Sequence, residues 1–302
     1  MRVRLLIIWS VVLFFAVAGA LQAAPLRVVT SFSIPADWVR ELGGAHVEVV
    51  SLAPFGADPH AYQPTPADMR KLNAADLIVG IAPDFETWFT ALVGTDALRK
   101  KTVYLAPVPS QKTAQGNGTD GTDAALEGDP HVWMDPLLVA TMTGTLAGRL
   151  AQADPPNATA YAAAAARYTA ALRELDAWAR ETLASVPSER RVLLTHHDNL
   201  RRLAARYQLR FAAAVLGSTS TEAPDPSARQ LSGFIRLAKR TRVPVFYDNT
   251  ASGSLVETVT REAALPPPVR LYTDALMAPA HPASTYLGMY RENIRLIAAA
   301  LR

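Results

Sequence analysis

The sequence predicts an α/β protein: two parallel-sheet α/β lobes joined by one long rigid helix, with a cleft between the lobes. Three observations carry this reading. Short β-branched runs alternate with longer amphipathic segments in both halves of the chain, which is the texture of βαβ units. A single alanine-rich helical stretch separates the halves. Histidines and aspartates fall at or just after the β-branched runs, where open parallel sheets gather their ligands.

The chain opens with "MRVRLLIIWSVVLFFAVAGALQAAPLRVVTS", in which Arg2 and Arg4 precede an apolar run from Leu5 to about Ala20 and then small residues. This is the design of a secretory signal peptide over residues 1–23. Ala18-Gly19-Ala20 satisfies the small-x-small cleavage rule, so a cut after residue 20 is compatible with it as well as one after Ala23. The apolar run is short of the ~20 residues a spanning helix needs, which disfavours a permanent anchor. Removal of Arg2 and Arg4 lowers the net charge from +3 to +1, since residues 1–23 hold no acid. The short basic runs at Arg70-Lys71, Lys100-Lys101 and Arg201-Arg202 read as solvated faces, and no nucleic-acid partner is expected.

The chain has no cysteine, which excludes disulfides, thiolate metal sites, CxxC chemistry and a lipid-carrying N-terminal cysteine. The expected location is the periplasm, by export and without lipidation.

Four strands are predicted in the first lobe, residues 24–153: "LRVVTSF", "VEVVSL", "DLIVGI" and "TVYLA". Helices are predicted at "PADWVREL", "PADMRKLNA" and "FETWFTALV". Residues 107–130 have no apolar period and read as a flexible surface loop. At Asp154-Pro155-Pro156-Asn157 a start signal introduces a helix of roughly 28 residues, ended by Pro187; this linking segment spans 154–187. The second lobe, 188–302, repeats the alternation with strands "RRVLLT", "RFAAAVL", "VPVFYD" and "VRLYTD" and helices near 197–207, 226–240, 253–264 and 284–301.

His60, His131, His197 and Asp274 each lie at or after a predicted strand end, two in each lobe, so one cleft could receive all four. Three imidazoles and a carboxylate form a set that zinc accepts, while manganese favours more oxygen donors. Pro59, Pro64 and Pro66 would stiffen the loop that presents His60. Each residue also has a plain structural reading. His196 competes with its neighbour His197, Asp248 and Asp274 could be ordinary strand-end turn residues, and His46 and His281 read as exposed.

Six segments carry a family likeness along the whole mature chain: "DPHAYQPTPADMRKLNAADLIV", "DPHVWMDP", "DPPNATAYAAAAARY", "LLTHHDNLRRLAARYQL", "STSTEAPDPSARQLSGFI" and "LYTDALMAPAHPASTYLGMYRENI". In these the chain resembles the zinc/manganese class of ABC-transporter periplasmic substrate-binding proteins (cluster A-I, solute-binding protein family 9). The resemblance implies metal ligands at His60, His131, His197 and Asp274, and prefers His197 over His196 because Asp198 follows it. It implies a monomeric carrier of Zn(II), or alternatively Mn(II), delivering its cargo to a membrane permease driven by a separate ATPase. Histidine at the third ligand position favours zinc.

Two features depart from the family pattern. The loop at 107–130 lacks the histidines that many zinc-specific members carry, and "GIAPDFETW" lacks the usual Asn-Gly before its Glu-x-Trp element.

Other readings are an exported zinc hydrolase or an adhesin-type interaction protein. The chain has no HExxH, GxSxG or glycine-rich phosphate loop, and four protein ligands would close the shell that catalytic zinc keeps open for water. If neutral imidazoles supply the donors, protons compete with the metal. Affinity is expected to fall between neutral pH and pH 5, and a chelator-competition titration showing no change would count against the site.

Overall fold

Each run predicted as a strand contains one, and the strands assemble into two parallel sheets of the same design. The computed structural model describes residues 24–106, 126 and 128–302. The predicted signal peptide at 1–23 and most of the loop at 107–130 lie outside these residues. In the first sheet β1 (Leu26–Thr30), β2 (Val47–Ser51), β3 (Leu77–Gly80) and β4 (Thr102–Tyr104) lie in the order β2-β1-β3-β4. In the second, β5 (Val192–Thr195), β6 (Arg210–Ala214), β7 (Val245–Asp248) and β8 (Val269–Leu271) lie in the order β6-β5-β7-β8. The two orders are equivalent: the first strand of each lobe is central, and the chain reverses direction across the sheet after the second. That reversal opens a crevice at the carboxyl ends of the strands.

Helices pack on these sheets: α1 (Ser33–Gly43), α2 (Pro66–Ala74), α3 (Thr87–Leu92) and α4 (Asp96–Lys101) in the first lobe, and α7 (Arg201–Arg206), α8 (Ala228–Thr241) and α9 (Ser254–Ala263) in the second. The start of α2 is fixed locally. Pro66 takes the first helical position, and one Asp68 oxygen accepts both the N–H and the hydroxyl of Thr65 at 2.8 Å.

Between the lobes run α5 (Pro136–Ala153) and α6 (Ala158–Ala184), packed on each other, and α10 (Tyr286–Leu301) lies against α6 and α1. The 27 residues of α6 reach about 40 Å. Its buried stripe, Tyr161, Ala164, Ala165, Tyr168, Leu172, Leu175, Ala179 and Leu183, follows the three-and-four spacing of a helix with one packed face.

The sequence reading did not anticipate α4 or α5. In α5 three threonines and two glycines depress helix propensity, but Val139, Met142, Leu146 and Leu150 bury one face. Tertiary burial decides that segment, helped by Asp135, whose carboxylate accepts from the Leu137 N–H at 2.8 Å and caps the helix.

One hydrophobic core runs from Val28 in the first sheet through Trp133 and Tyr286 to Phe246 in the second, and a smaller one around Val29, Ile78 and Phe89 lies within the first lobe. The lobes are also tied by hydrogen bonds. Trp133 Nε1 donates to Thr273 O at 2.6 Å, Tyr286 OH to Trp133 O at 2.7 Å and Tyr290 OH to Met134 O at 3.0 Å. Asp37 on α1 accepts the N–H of Tyr286 at 2.8 Å, and the Leu276 N–H donates to Ser33 Oγ at 2.9 Å. Replacing Tyr286 with Phe should cost about 1–2 kcal/mol, since it removes one buried donor and leaves the Trp133 carbonyl without it. Urea unfolding should show a lower midpoint at unchanged slope, whereas an unchanged midpoint would remove this hydroxyl from the joint.

Candidate metal site

The four residues expected from sequence meet in one place between the lobes. His60 lies in the loop between β2 and α2, and His131 in the turn before α5. His197 follows β5, and Asp274 follows β8. One ligand atom from each lies within 4.8 Å of every other. Asp274 Oδ2 is 3.1 Å from His197 Nε2 and 4.0 Å from His60 Nε2. All four residues are buried, yet Nε2 of each histidine and both Asp274 oxygens lack a hydrogen-bond partner. Buried polar atoms are normally satisfied, so five orphans aimed at one point form a cavity chemically suited to a cation.

The histidine backbones are set by a motif used twice. In both "DPH" segments the aspartate two residues earlier accepts the histidine's own N–H: Asp58 from His60 at 2.8 Å and Asp129 from His131 at 3.0 Å. The His60 loop is pinned further by Trp88, whose Nε1 donates to Pro59 O at 2.7 Å. Thus the proline-rich loop is braced at His60 itself.

The rings are oriented from behind. Nδ1 of His131 lies 2.9 Å from Asp129 Oδ1, and Nδ1 of His197 lies 2.9 Å from Asp248 Oδ2. A carboxylate accepting from Nδ1–H orients the ring so that Nε2 is the atom turned to the centre. Asp248, read from sequence as a possible turn residue, is therefore the buried brace of His197. Its other oxygen accepts the Thr250 hydroxyl at 2.5 Å. His196 lies outside the four-residue cluster, with Nδ1 3.6 Å from Asp248. His46 packs edge-on to Tyr161, and His281 Nδ1 accepts the Ala283 N–H at 3.0 Å; neither reaches the site.

Phe85 stands edge-on to His60 with ring centroids 4.7 Å apart, and Trp133 does the same to His131 at 5.2 Å. These rings wall the cavity with apolar surface. Burial pushes His60 down to about 3, with Asp274 opposing and the other two imidazoles reinforcing the shift. For His197 burial acts in the same direction, but Asp274 and Asp248 outweigh it and raise the ring to about 10. Burial would raise Asp274, and His197 with His131 overcomes it and holds the carboxyl below its usual range. Asp248 is likewise held well below by its histidine contacts against the effect of burial.

The braces Asp129 and Asp248 and the wall residue Phe85 were not singled out for these roles in the sequence. The signal that was present is the repeated Asp-Pro-His; nothing in the sequence pairs Asp248 with His197, which is 51 residues away. The end of the 107–130 segment is held by Arg202, which donates to the carbonyls of Leu126 at 3.1 Å and Asp129 at 2.6 Å.

A two-lobed α/β protein with a buried histidine-carboxylate cluster at facing strand ends belongs to the class of metal-binding transport proteins. The family described as "Zinc-uptake complex component A periplasmic" matches residues 28–300, and the chain is a member of it. It is 27% identical over 281 residues to the manganese ABC transporter substrate-binding lipoprotein PsaA of Streptococcus pneumoniae, covering 91% of this chain and 89% of that one. It is also 27% identical over 277 residues to the manganese-binding lipoprotein MntA of Halalkalibacterium halodurans, covering 91% and 88%.

Among solved structures, the periplasmic zinc binding protein TroA from Treponema pallidum matches with a TM-score of 0.80 at 27% identity, covering 92% of this chain and 99% of that one. A Mn-bound periplasmic metal binding protein from Candidatus Liberibacter asiaticus matches with a TM-score of 0.75 at 25% identity, covering 92% and 100%. The protein is a metal-binding component of an ABC transporter, which implies permease and ATPase partners, and it is not an enzyme.

The relatives correct one expectation. They are named lipoproteins, which overturns the expectation that this chain is not lipidated, while a location on the periplasmic side is consistent with them. That reading rested on a cysteine count, which speaks of one attachment chemistry in the given sequence and not of how the family is held at a membrane. Among the described residues no helix is long and apolar enough to cross one.

The segment that departs from the family pattern, "GIAPDFETW", is organised by Glu86. This fully buried carboxyl accepts from the Ser31 hydroxyl and from the N–H groups of Ile81 at 2.8 Å and Ala82 at 3.2 Å. Burial pushes it up to about 7 from 4.5, against the pull of those hydrogen bonds. The folded chain therefore holds this proton more tightly than the unfolded chain, and the group's contribution to stability declines as pH rises through that window. Glu86→Gln can accept the Ile81 and Ala82 N–H groups with its amide oxygen and reverse the Ser31 contact, its NH2 donating to Oγ, without ionising. It should be more stable than wild type above pH 7 by on the order of 1–3 kcal/mol and equal to it below pH 4.5, read from urea midpoints. Equal stability at pH 8 would refute the buried-proton account.

Proposed function

We propose that the protein captures Zn(II) on the outer side of the cytoplasmic membrane and delivers it to the permease of an ABC importer, with His60, His131, His197 and Asp274 as the ligands. The observation that carries this reading is the convergence of three partnerless Nε2 atoms and a partnerless carboxylate within 4.8 Å. Three nitrogen donors and one oxygen match the preference of zinc for a closed four-coordinate shell. Charge supports a divalent ion. Asp274 faces the centre and Asp248 stands behind His197, so the site's own carboxylates bring two negative charges, while Asp129 has Arg202 3.6 Å away as a counter-ion. A closed shell of protein ligands suits carriage, because no position is kept open for water.

Mn(II) is the second reading, favoured by the names of the manganese-binding relatives. It asks the same residues to serve an ion that prefers more oxygen ligands. In this reading the carrier is monomeric, with a signal peptide at 1–23, lobes at 24–153 and 188–302, and the linking segment 154–187 between them.

Elemental mass spectrometry of untagged protein should find about one zinc per chain in wild type and little in His131→Ala, since removing one ligand opens the shell. Manganese in place of zinc would change the cargo and keep the transport role, and no metal even after reloading would refute the proposal. Asp248→Asn should retain the four ligands yet bind zinc about 10–100-fold more weakly in chelator competition, because the His197 ring loses its charged brace. Unaltered affinity would show that His197 needs no brace.

A further inference from the structure

The two Asp-Pro-His segments are used differently, and the difference falls where the site meets solvent. Asp129 spends one oxygen on both the N–H and Nδ1 of its own histidine. Asp58 accepts the His60 N–H with Oδ1 but turns Oδ2 across the cleft, where it accepts the Thr221 hydroxyl at 2.7 Å. Thr221 lies in the stretch between β6 and α8, in the opposite lobe and 163 residues away.

Among the four clustered residues only His60 keeps any exposure, at 8%, while His131, His197 and Asp274 are at 0%. The thinnest cover over the site is therefore on the His60 side, and Asp58 and Thr221, each half-buried, stand there. The ties between the lobes made by Trp133, Tyr286 and Tyr290 are deeply buried, and in the His60 loop itself the Gly56 N–H donates to Leu276 O at 2.9 Å, so the Asp58–Thr221 contact is the side-chain tie of that loop to the facing lobe.

We infer that the Asp58–Thr221 hydrogen bond is a latch over the site: it joins the His60 loop to the facing lobe, and its opening sets the rate at which the bound ion leaves. Thr221 is a positioning residue here and contacts no ligand atom. The inference rests on the metal-carrier reading above. A single hydrogen bond to a carboxylate is strong enough to govern release by about one order of magnitude and weak enough to open without unfolding either lobe.

The test uses the zinc-loaded full chain mixed rapidly with excess chromophoric chelator, comparing wild type, Thr221→Val and Thr221→Ser. Valine keeps the branched shape and removes the hydroxyl; serine keeps the hydroxyl and removes a methyl. Release should be about ten-fold faster in Thr221→Val and within two-fold of wild type in Thr221→Ser, with one zinc per chain in all three. A merely structural role would lower the melting temperature of the metal-free protein and leave the release rate unmoved. Equal release from wild type and Thr221→Val, or release from Thr221→Ser as fast as from Thr221→Val, would overturn the latch while leaving the carrier intact. Wild-type protein that takes up no zinc would overturn the carrier reading, and the latch with it.

Discussion

Donors drawn from two separate sheets can share one ion only if the sheets keep a fixed distance, and the short strip from Asp129 to Pro136 supplies that constraint. Within it Asp129 holds the ring of His131, Trp133 donates to the carbonyl just before Asp274, and the carbonyls of Trp133 and Met134 receive hydroxyls from α10. Asp135 caps α5 and lies 3.3 Å from Arg206 in the second lobe. The residues that present His131 thus also measure the distance to Asp274, so placement of the two is a single structural fact.

Electrostatics explains why the arrangement tolerates such burial. Removing ionisable groups from water is costly unless each finds a partner. Asp248 finds His197, Asp129 finds His131 and Arg202, and Asp198 finds Arg201 at 2.6 Å. At the centre the three Nε2 atoms and both Asp274 oxygens are left without hydrogen-bond partners, and around them Asp129 Oδ2, Asp198 Oδ1 and His196 Nδ1 are unpartnered as well.

Much of this was readable in the sequence. All eight strands fall within the runs predicted from sequence, though β6 is built of arginine, phenylalanine and alanine and not of β-branched residues, and α2 begins where Pro66 and the Thr65-to-Asp68 box place it. The four clustered residues were visible because they fall at or after predicted strand ends and coincide with the positions that the family resemblance implies as ligands. The helix α5 was hidden because threonine and glycine mask a periodicity that only packing against α6 reveals. Asp248 was hidden for another reason: its role depends on β5 and β7 being neighbours in the sheet, and a linear chain does not announce which strands pair.

The C-terminal helix α10 has a mechanical consequence. It lies alongside α6 and is bonded to both halves: Tyr286 and Tyr290 grip the first lobe and its strip, and Asn293 exchanges two hydrogen bonds with the backbone of Tyr272 in the second. A hinge needs a narrow axis, whereas two helices side by side make a broad one. Swinging the lobes apart would shear α10 along α6 and break those bonds together. Access to the centre must then come from the loops at the rim, so the body of the molecule behaves as a fixed frame and only its lip moves.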